Sequence, residues 1–141
     1  MASDSTKVPK LFKKVKWRSY TVNLDVGGGY HEGATLYLAE RKVHNVVYDP
    51  DNKSAEHNAK AISFVLGIGG SHSVTLSDVL NLYPSWKDRD AILYYSKFLA
   101  RKGAPIYISV YEDIDKYADV IAKRFRIVNI SSDIITAIKA D

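Results

Sequence analysis

Strand-like and helix-like segments alternate along this chain of 141 residues, and their order limits the fold more than any other feature. Short apolar runs predict strands over residues 20–26, 45–50, 73–76 and 106–111. The segments between and after these strands predict helices, over residues 31 or 32 to 40, 54–66, 86–102 and 114–125. Consecutive strands joined by helices form a parallel sheet with helices packed on both faces. The sequence therefore predicts one doubly wound α/β domain with a mostly parallel sheet.

The end of the chain departs from this alternation. Residues 125–130 and 133–139 are two alternating apolar and polar segments on either side of Ser131 and Ser132. Two such segments around a short polar turn predict an antiparallel hairpin. We therefore expect the parallel sheet to end in an antiparallel pair.

The second predicted helix carries both a start signal and a periodic face. Ser54 precedes it and is a residue type that caps helices well. Small and apolar residues recur at helical spacing after it and predict one buried face, made of Ala55, Ala59, Ile62 and Leu66.

Basic residues are concentrated at the start of the chain. Residues 1–18 contain six lysines or arginines and one aspartate, a net charge of +5, whereas residues 19–141 have a net charge of −1. We therefore divide the chain into a basic arm, residues 1–18, and an α/β domain, residues 19–141. Such an arm could contact nucleic-acid phosphates through sequence-independent electrostatics; the alternative is a solvated, flexible leader.

Several classes of protein are disfavoured by composition. The chain has no cysteine, which excludes disulfides and cysteine-based metal sites. Its four histidines show no metal-ligand spacing, so no metal site is expected. The apolar runs are only strand-length and the first residues include no apolar signal segment, so we expect no membrane span and a cytoplasmic location.

Three successive glycines, Gly27, Gly28 and Gly29, follow the first predicted strand directly. Without a Cβ they permit close approach of a ligand and turns with positive φ. The dinucleotide pattern Gly-x-Gly-x-x-Gly fails because Glu32 stands at its last position, and no Gly-Lys-Ser/Thr phosphate loop is present. Polar or glycine-rich residues also end the other strands, at 49–51, 77–80 and 111–113. These strand ends meet at one edge of a parallel sheet, which is where such folds bind ligands.

At these positions the chain resembles the class I S-adenosylmethionine-dependent methyltransferases. Residues 22–29 are similar to the first motif of that family, an acidic residue followed by Gly-x-Gly, and residues 46–50 are similar to the second. Residues 73–81 are similar to the fourth-strand segment of small members, and residues 99–105 with the strand after them look like the family's helix-to-fifth-strand passage. The resemblance covers roughly residues 20–140, and the terminal hairpin agrees with it.

The resemblance implies S-adenosylmethionine as the cofactor and assigns roles along the predicted edge. The backbone of Gly27, Gly28 and Gly29 would lie against its methionine and sugar, with Asp25 acting nearby. Asp49 would accept hydrogen bonds from the ribose hydroxyls. The remaining implied contacts are the adenine beside Pro50 and Asp51, the methionine end beside Ser77 and Asp78, and the acceptor beside Asp78 and Tyr83. Structural alternatives are a simple tight turn for the glycines, a cap for Asp49 and a strand end for Asp78.

The chain also departs from the family pattern. Only residues 67–72 separate the second helix from the next strand, so the usual third strand and its helix are abbreviated or absent. Alternatively, residues 62–68 supply a short edge strand. The acidic residue that often contacts adenine has no clear equivalent, and Ser71 and His72 are the candidates to take its place.

Three functional hypotheses follow. The first is methyl transfer from S-adenosylmethionine to an unidentified acceptor. The Asn/Asp-Pro-Pro-Tyr segment of amino-methylating DNA enzymes is absent, which disfavours the amino groups of adenine and cytosine in DNA as acceptors. The second is a non-catalytic module that binds the cofactor or a partner, in which self-association would compensate for the missing unit. The third is a nucleic-acid-binding protein that uses its basic arm.

Overall fold

Six strands form one mixed sheet in the computed structural model, which describes residues 6–29, 32–131 and 133–141. The strands are β1 (Thr21–Val26), β2 (Val43–Tyr48), β3 (Ser73–Ser77), β4 (Pro105–Ser109), β5 (Arg126–Ile130) and β6 (Ile135–Ile138). The helices are α1 (Lys10–Lys14), α2 (Glu32–Glu40), α3 (Ala55–Gly67), α4 (Trp86–Leu99) and α5 (Ala118–Ala122), with short 3₁₀ turns at Leu80–Leu82 and Ile114–Tyr117. His31 and Ser132, which the sequence placed at a helix start and in a turn, lie outside the described residues.

The strand order is β2-β1-β3-β4-β6-β5. The first four strands in this order are parallel, and β6 runs antiparallel to both β4 and β5. This arrangement confirms the predicted α/β fold and its terminal hairpin. A register shift between Ile127 and Asn129 interrupts the pairing of β5 with β6.

The core lies around the central strands. All five residues of β3 are buried. Val74 and Leu76 lie on one face, in the main core with Ile106 and Ile108 of β4, whereas Thr75 lies on the other face, in a polar network. Because a central strand of such a sheet is covered on both sides, it has no solvent-facing side. The carboxyl ends of these strands are therefore held rigidly at one edge, where β1, β2, β3 and β4 all finish.

The sheet ends at β2, with no strand beyond it among the described residues. Residues 62–68 do not supply an edge strand, because the chain is helical to Gly67 at the end of α3. The alternative of a short edge strand there is therefore wrong, and the third strand-and-helix unit is absent between α3 and β3.

The buried face of α3 also differs from the prediction. Ser54 does cap the helix, since its hydroxyl accepts a hydrogen bond from the backbone N–H of His57 at 3.0 Å. The buried positions, however, are Asn58, Ala61 and Val65. Of the predicted face only Ile62 packs against the core, and the others are exposed: Ala55, Ala59 and Leu66. The amide of Asn58 bonds to the backbone of the β2–α3 loop, and this contact sets the rotation of the helix.

The helix α4 ends earlier than predicted, at Leu99 rather than Lys102. Ala100 takes an extended conformation and pairs with Ser71 in an isolated parallel bridge. The backbone N–H of Ser71 donates to the carbonyl of Leu99, and that of Arg101 donates to the carbonyl of Ser71. These long-range bonds replace further helical turns.

The described part of the basic arm contributes to the fold. Leu11 and Phe12 of α1 are buried, and the indole N–H of Trp17 donates to the carbonyl of Phe12 at 2.8 Å. The lysines of this arm lie outside that packing. Among the described residues, no helix has both the length and the apolar character needed to cross a membrane.

Candidate functional site

Each of the three successive glycines makes a different close approach. A Cβ on Gly27, whose φ is +80°, would lie 2.7 Å from a methyl group of Val79. A Cβ on Gly28 would lie 2.1 Å from Oδ2 of Asp25, and one on Gly29 would lie 2.7 Å from Oδ2 of Asp49. Side chains at such distances would displace either the loop or the side chains that it contacts. The run of glycines is therefore required by the folding of this loop onto two carboxylates and a neighbouring strand end.

Asp25 lies beneath the loop in a buried polar network. Its Oδ1 accepts a hydrogen bond from the hydroxyl of Thr75 at 3.0 Å, and its Oδ2 a long one from the amide of Asn45 at 3.5 Å. The amide of Asn23 in turn donates to both Asn45 and Thr75, at 2.9 Å each, and the hydroxyl of Ser73 donates to Asn23. The network joins three adjacent strands directly under the glycines.

Burial raises the pKa of Asp25 from 3.8 to about 6. Hydrogen bonds from Thr75 and Asn45 lower it in part, and the nearby charge of Asp49 raises it further. The carboxylate therefore supports the loop from below, at a cost in stability when it is ionised.

Asp49 lies just after β2 and is fully buried. Its Oδ1 accepts hydrogen bonds from the backbone N–H groups of Asp51 and Asn52, each at 3.0 Å. Its Oδ2 accepts from the backbone N–H of Gly29 and from the side-chain amide of Asn52, each at 2.9 Å. Four protein donors thus occupy the four lone-pair positions of this carboxylate. The bond from Gly29 ties the glycine loop to the end of β2.

Two asparagines support this corner, and sequence periodicity did not identify either. Asn58 of α3 accepts a hydrogen bond from the backbone N–H of Asp49 and donates one to its carbonyl, both at 2.9 Å. Asn52 caps the carboxylate itself. The signal that would have indicated Asn58 is an asparagine in the first turns of a helix, nine positions after an acidic residue at a strand end.

Tyr83 and Asp51 face each other across the edge. The phenol of Tyr83 donates to Oδ2 of Asp51 at 3.4 Å. Burial, together with the charge of Asp51, raises the pKa of Tyr83 to about 12. The phenol is therefore protonated at neutral pH and serves as a hydrogen-bond donor rather than as a base. Pro50, between the two acidic residues, is exposed.

Asp78 follows β3 in a left-handed conformation, with φ of 56°. Its backbone N–H donates to the carbonyl of Ser109 at 3.0 Å, and the hydroxyl of Ser109 donates to its carboxylate at 3.3 Å. Such a conformation is uncommon for a residue other than glycine and is often found at functional sites. Ser77, the last residue of β3, is buried. The bonds between Asp78 and Ser109 join the ends of β3 and β4.

The side chain of Arg89 holds the segment between β3 and α4 in place. Its Nε donates to the carbonyls of Leu80 and Tyr83, both at 3.0 Å, and its guanidinium lies 4.3 Å from the ring centroid of Trp86. Sequence reasoning missed this residue because an arginine on a helix is usually exposed.

The structure therefore gathers the predicted residues at one edge, but in two layers. Ser71 and His72 are the exceptions: they precede β3, at the opposite end of the sheet, so their predicted place beside the adenine is wrong. Asp25 and Asp49 lie in the buried layer and hold the loop, whereas Asp51 and Pro50 lie at the surface. A cavity of about 550 Å³ begins at Gly28 and Gly29 and continues along the open side of β2 between α2 and α3. Its apolar walls include Leu36 and Phe64, which are 61% and 41% exposed. This cavity lies where a strand beyond β2 would pack.

No protein-family model and no curated protein sequence matches the chain. Solved structures do match it along most of its length. An O-methyltransferase family 2 protein from Planctomyces limnophilus, in complex with apigenin, shares 14% identity at a TM-score of 0.63; the match covers 92% of this chain and 56% of that protein. The 16S rRNA (adenine(1408)-N(1))-methyltransferase from Catenulisporales acidiphilia shares 15% identity at a TM-score of 0.59, covering 94% and 89% of the two chains.

The chain has the class I methyltransferase fold. The N-methyltransferase NodS from Bradyrhizobium japonicum, in complex with S-adenosyl-L-homocysteine, is a further example, with 11% identity, a TM-score of 0.58 and coverage of 84% and 76%. The acceptors of these methyltransferases differ, and the chain spans little more than half of the O-methyltransferase. The similarity therefore establishes the fold and the resemblance expected from the motifs, and the reaction has to be argued from the site.

Proposed function

We propose that this protein binds S-adenosylmethionine at the edge formed by the glycine loop and Asp49, and transfers its methyl group to an acceptor. The observation that carries this proposal is the bond between the backbone of Gly29 and the Asp49 carboxylate, at the ends of adjacent parallel strands. In this fold, ligands bind where the strand order reverses, between β1 and β3, and that reversal lies beside the same loop.

The site fits such a cofactor, provided that one hydrogen bond to Asp49 is exchanged. Asp49 would hold the ribose hydroxyls, yet Gly29 and Asn52 already donate to its Oδ2. A hydroxyl that binds there replaces the amide of Asn52, because the backbone donors to Oδ1 belong to the tight turn after β2. Gly27 and Gly28 would provide backbone without side chains beside the methionine part.

The cofactor would supply an electrophilic methyl group on a sulfonium. The chain's own contribution would be alignment of the acceptor and exclusion of water, which can provide much of the acceleration of a displacement. Asp78 is our candidate for contact with the acceptor, since the Ser109 hydrogen bonds hold it at the end of β3. Tyr83 would contribute a hydrogen-bond donor by turning its O–H from Asp51 to the acceptor, because its raised pKa keeps the phenol protonated.

Isothermal titration with S-adenosylmethionine and S-adenosylhomocysteine tests the binding step. Asp49→Asn should weaken binding by about 10- to 100-fold, since a hydrogen bond to a charged group contributes about 1.5–3 kcal/mol. Asp119→Asn is the matched control, because Asp119 is exposed on α5. Absence of binding by either compound at millimolar concentration would contradict the proposal.

The open side of β2 favours a second candidate, a non-catalytic module that binds cofactor or a partner. The exposed apolar walls of its cavity are available for a contact that the absent unit would otherwise make. A screen for transfer of a radiolabelled methyl group to nucleic acids, proteins and small molecules separates the two candidates. A methylated product eliminates the non-catalytic module, whereas cofactor binding without any product favours it.

A further inference from the structure

A second cavity, of about 360 Å³, lies where β1, β3 and β4 begin, at the opposite end of the sheet from the glycine loop. The six residues of β1 separate the two ends by about 17 Å, given a rise of roughly 3.3 Å per residue. The walls come from the basic arm before β1, the start of β3 and the turn before β4. Its size is within the usual range for ligand cavities. It is therefore a site distinct from the proposed cofactor edge.

Four cationic side chains line this cavity, and no acidic residue of the described chain lies among them: they are Lys16, Arg18, Arg101 and Lys102. Two hydrogen bonds orient the guanidinium of Arg101, to the carbonyls of Gly70 and Ile68 at 3.0 Å each. Lys16 and Arg18 form no ion pair with any described residue. Cations gathered in a concave site that no acidic side chain lines attract anions strongly.

The neighbouring His72 also reflects this positive field. Burial lowers the pKa of its imidazole, and the charges of Arg101 and Arg18 lower it further. The backbone N–H of Val22 donates to Nδ1 at 3.0 Å, so the neutral ring carries its proton on Nε2. The ring thus remains a neutral donor beside the cations.

Aromatic rings form the rest of the wall. Trp17 is half-buried. Its indole N–H donates a hydrogen bond to the carbonyl of Phe12 at 2.8 Å, and this bond fixes the ring. The ring of Tyr107 meets it edge-on, with centroids 6.1 Å apart. Fixed aromatic rings next to a cationic groove are the combination that binds single strands, with bases stacking on rings and phosphates on cations.

We propose that this cavity binds single-stranded nucleic acid, with Lys16, Arg18 and Lys102 contacting phosphates and a base stacking on Trp17. The proposal does not depend on the proposed methyl transfer. It also gives a role to two of the six basic residues that the sequence concentrates before β1, Lys16 and Arg18.

Fluorescence anisotropy with labelled single-stranded RNA and DNA of about 16 nucleotides measures this binding. Three phosphate contacts predict a slope of about −2 for log affinity against log salt, a loss of about 20-fold between about 50 and 200 mM salt. Arg18→Gln with Lys102→Gln should reduce the slope to about −0.7. Lys87→Gln with Lys123→Gln removes the same charge from exposed positions elsewhere and should leave the slope unchanged.

Base stacking has its own measurement. The chain has two tryptophans, so Trp86→Phe leaves Trp17 as the sole tryptophan. Its fluorescence should be quenched by the oligonucleotides and not by heparin, which has charges but no bases. A thermal unfolding scan of each variant verifies that it is folded.

Three results would overturn the proposal. One is an equal loss of affinity in both double variants, which would show that only net charge matters. Another is unquenched Trp17 fluorescence at saturating oligonucleotide. The third is binding to vesicles of anionic phospholipid without binding to oligonucleotides, which would assign the surface to membranes instead.

Discussion

Replacing Asp25 by asparagine should make the protein more stable at neutral pH. The folded carboxyl has a pKa of about 6, whereas its usual value is 3.8, a difference of about two units. Each unit corresponds to about 1.4 kcal/mol, so the ionised side chain costs about 3 kcal/mol in the folded state. The amide introduced by Asp25→Asn would resemble the protonated carboxyl, because its oxygen can still accept from Thr75. The variant therefore avoids this cost.

The sign of the pH dependence follows from the raised pKa. The folded state holds the proton of Asp25 more tightly than the unfolded state does. The resulting stability is fully present below pH 3.8 and is lost as pH rises through about 6. The free energy of unfolding of the variant minus that of the wild type should therefore increase by about 3 kcal/mol as pH rises from about 4 to about 8.

Urea unfolding, monitored by far-ultraviolet circular dichroism at intervals across this pH range, measures the difference. A gain of that size raises the melting temperature by on the order of 10 °C at neutral pH for a domain of this length. Asp119→Asn is the control, because it removes a carboxylate from an exposed position on α5 instead. If the difference for Asp25→Asn changed by less than about 1 kcal/mol, its burial would not cause the predicted cost.

Two further substitutions, with one control, test the glycine loop and the Asp49 carboxylate to which it is bonded. Gly28→Ala should lower the free energy of unfolding by about 1–3 kcal/mol because its Cβ meets Asp25, whereas Gly67→Ala, with no atom within 4 Å of its Cβ, should raise it by up to about 1 kcal/mol. Equal effects in urea unfolding would show that the close approach is unimportant. Asn52→Ala removes a competing donor from Asp49 and should tighten S-adenosylmethionine binding about fivefold in isothermal titration. An unchanged or weaker affinity would show that the cofactor does not use that oxygen.

Local sequence patterns predicted the elements well where the signal was local. Apolar runs and their spacing indicated the four parallel strands and the terminal hairpin, and the hydroxyl of Ser54 indicated a helix start. The run of glycines predicted close approach of a ligand, which stays a prediction; the structure shows instead that Gly27, Gly28 and Gly29 each approach a side chain of the protein itself. These features depend on residues that are neighbours in the chain, so the chain itself carries the information.

Contacts between distant segments decided the rest. The bonds of Asn58 to Asp49 turn α3 away from the face that its apolar residues predicted, and the pairing of Ala100 with Ser71 ends α4 early. Asp25 meets Thr75 across 50 positions of sequence. No periodicity records such partners, because they become neighbours only when the strands are in register. The sequence by itself determined which segments become strands and where the glycine loop lies; only the tertiary structure decided that both carboxylates are buried and which donors they bind.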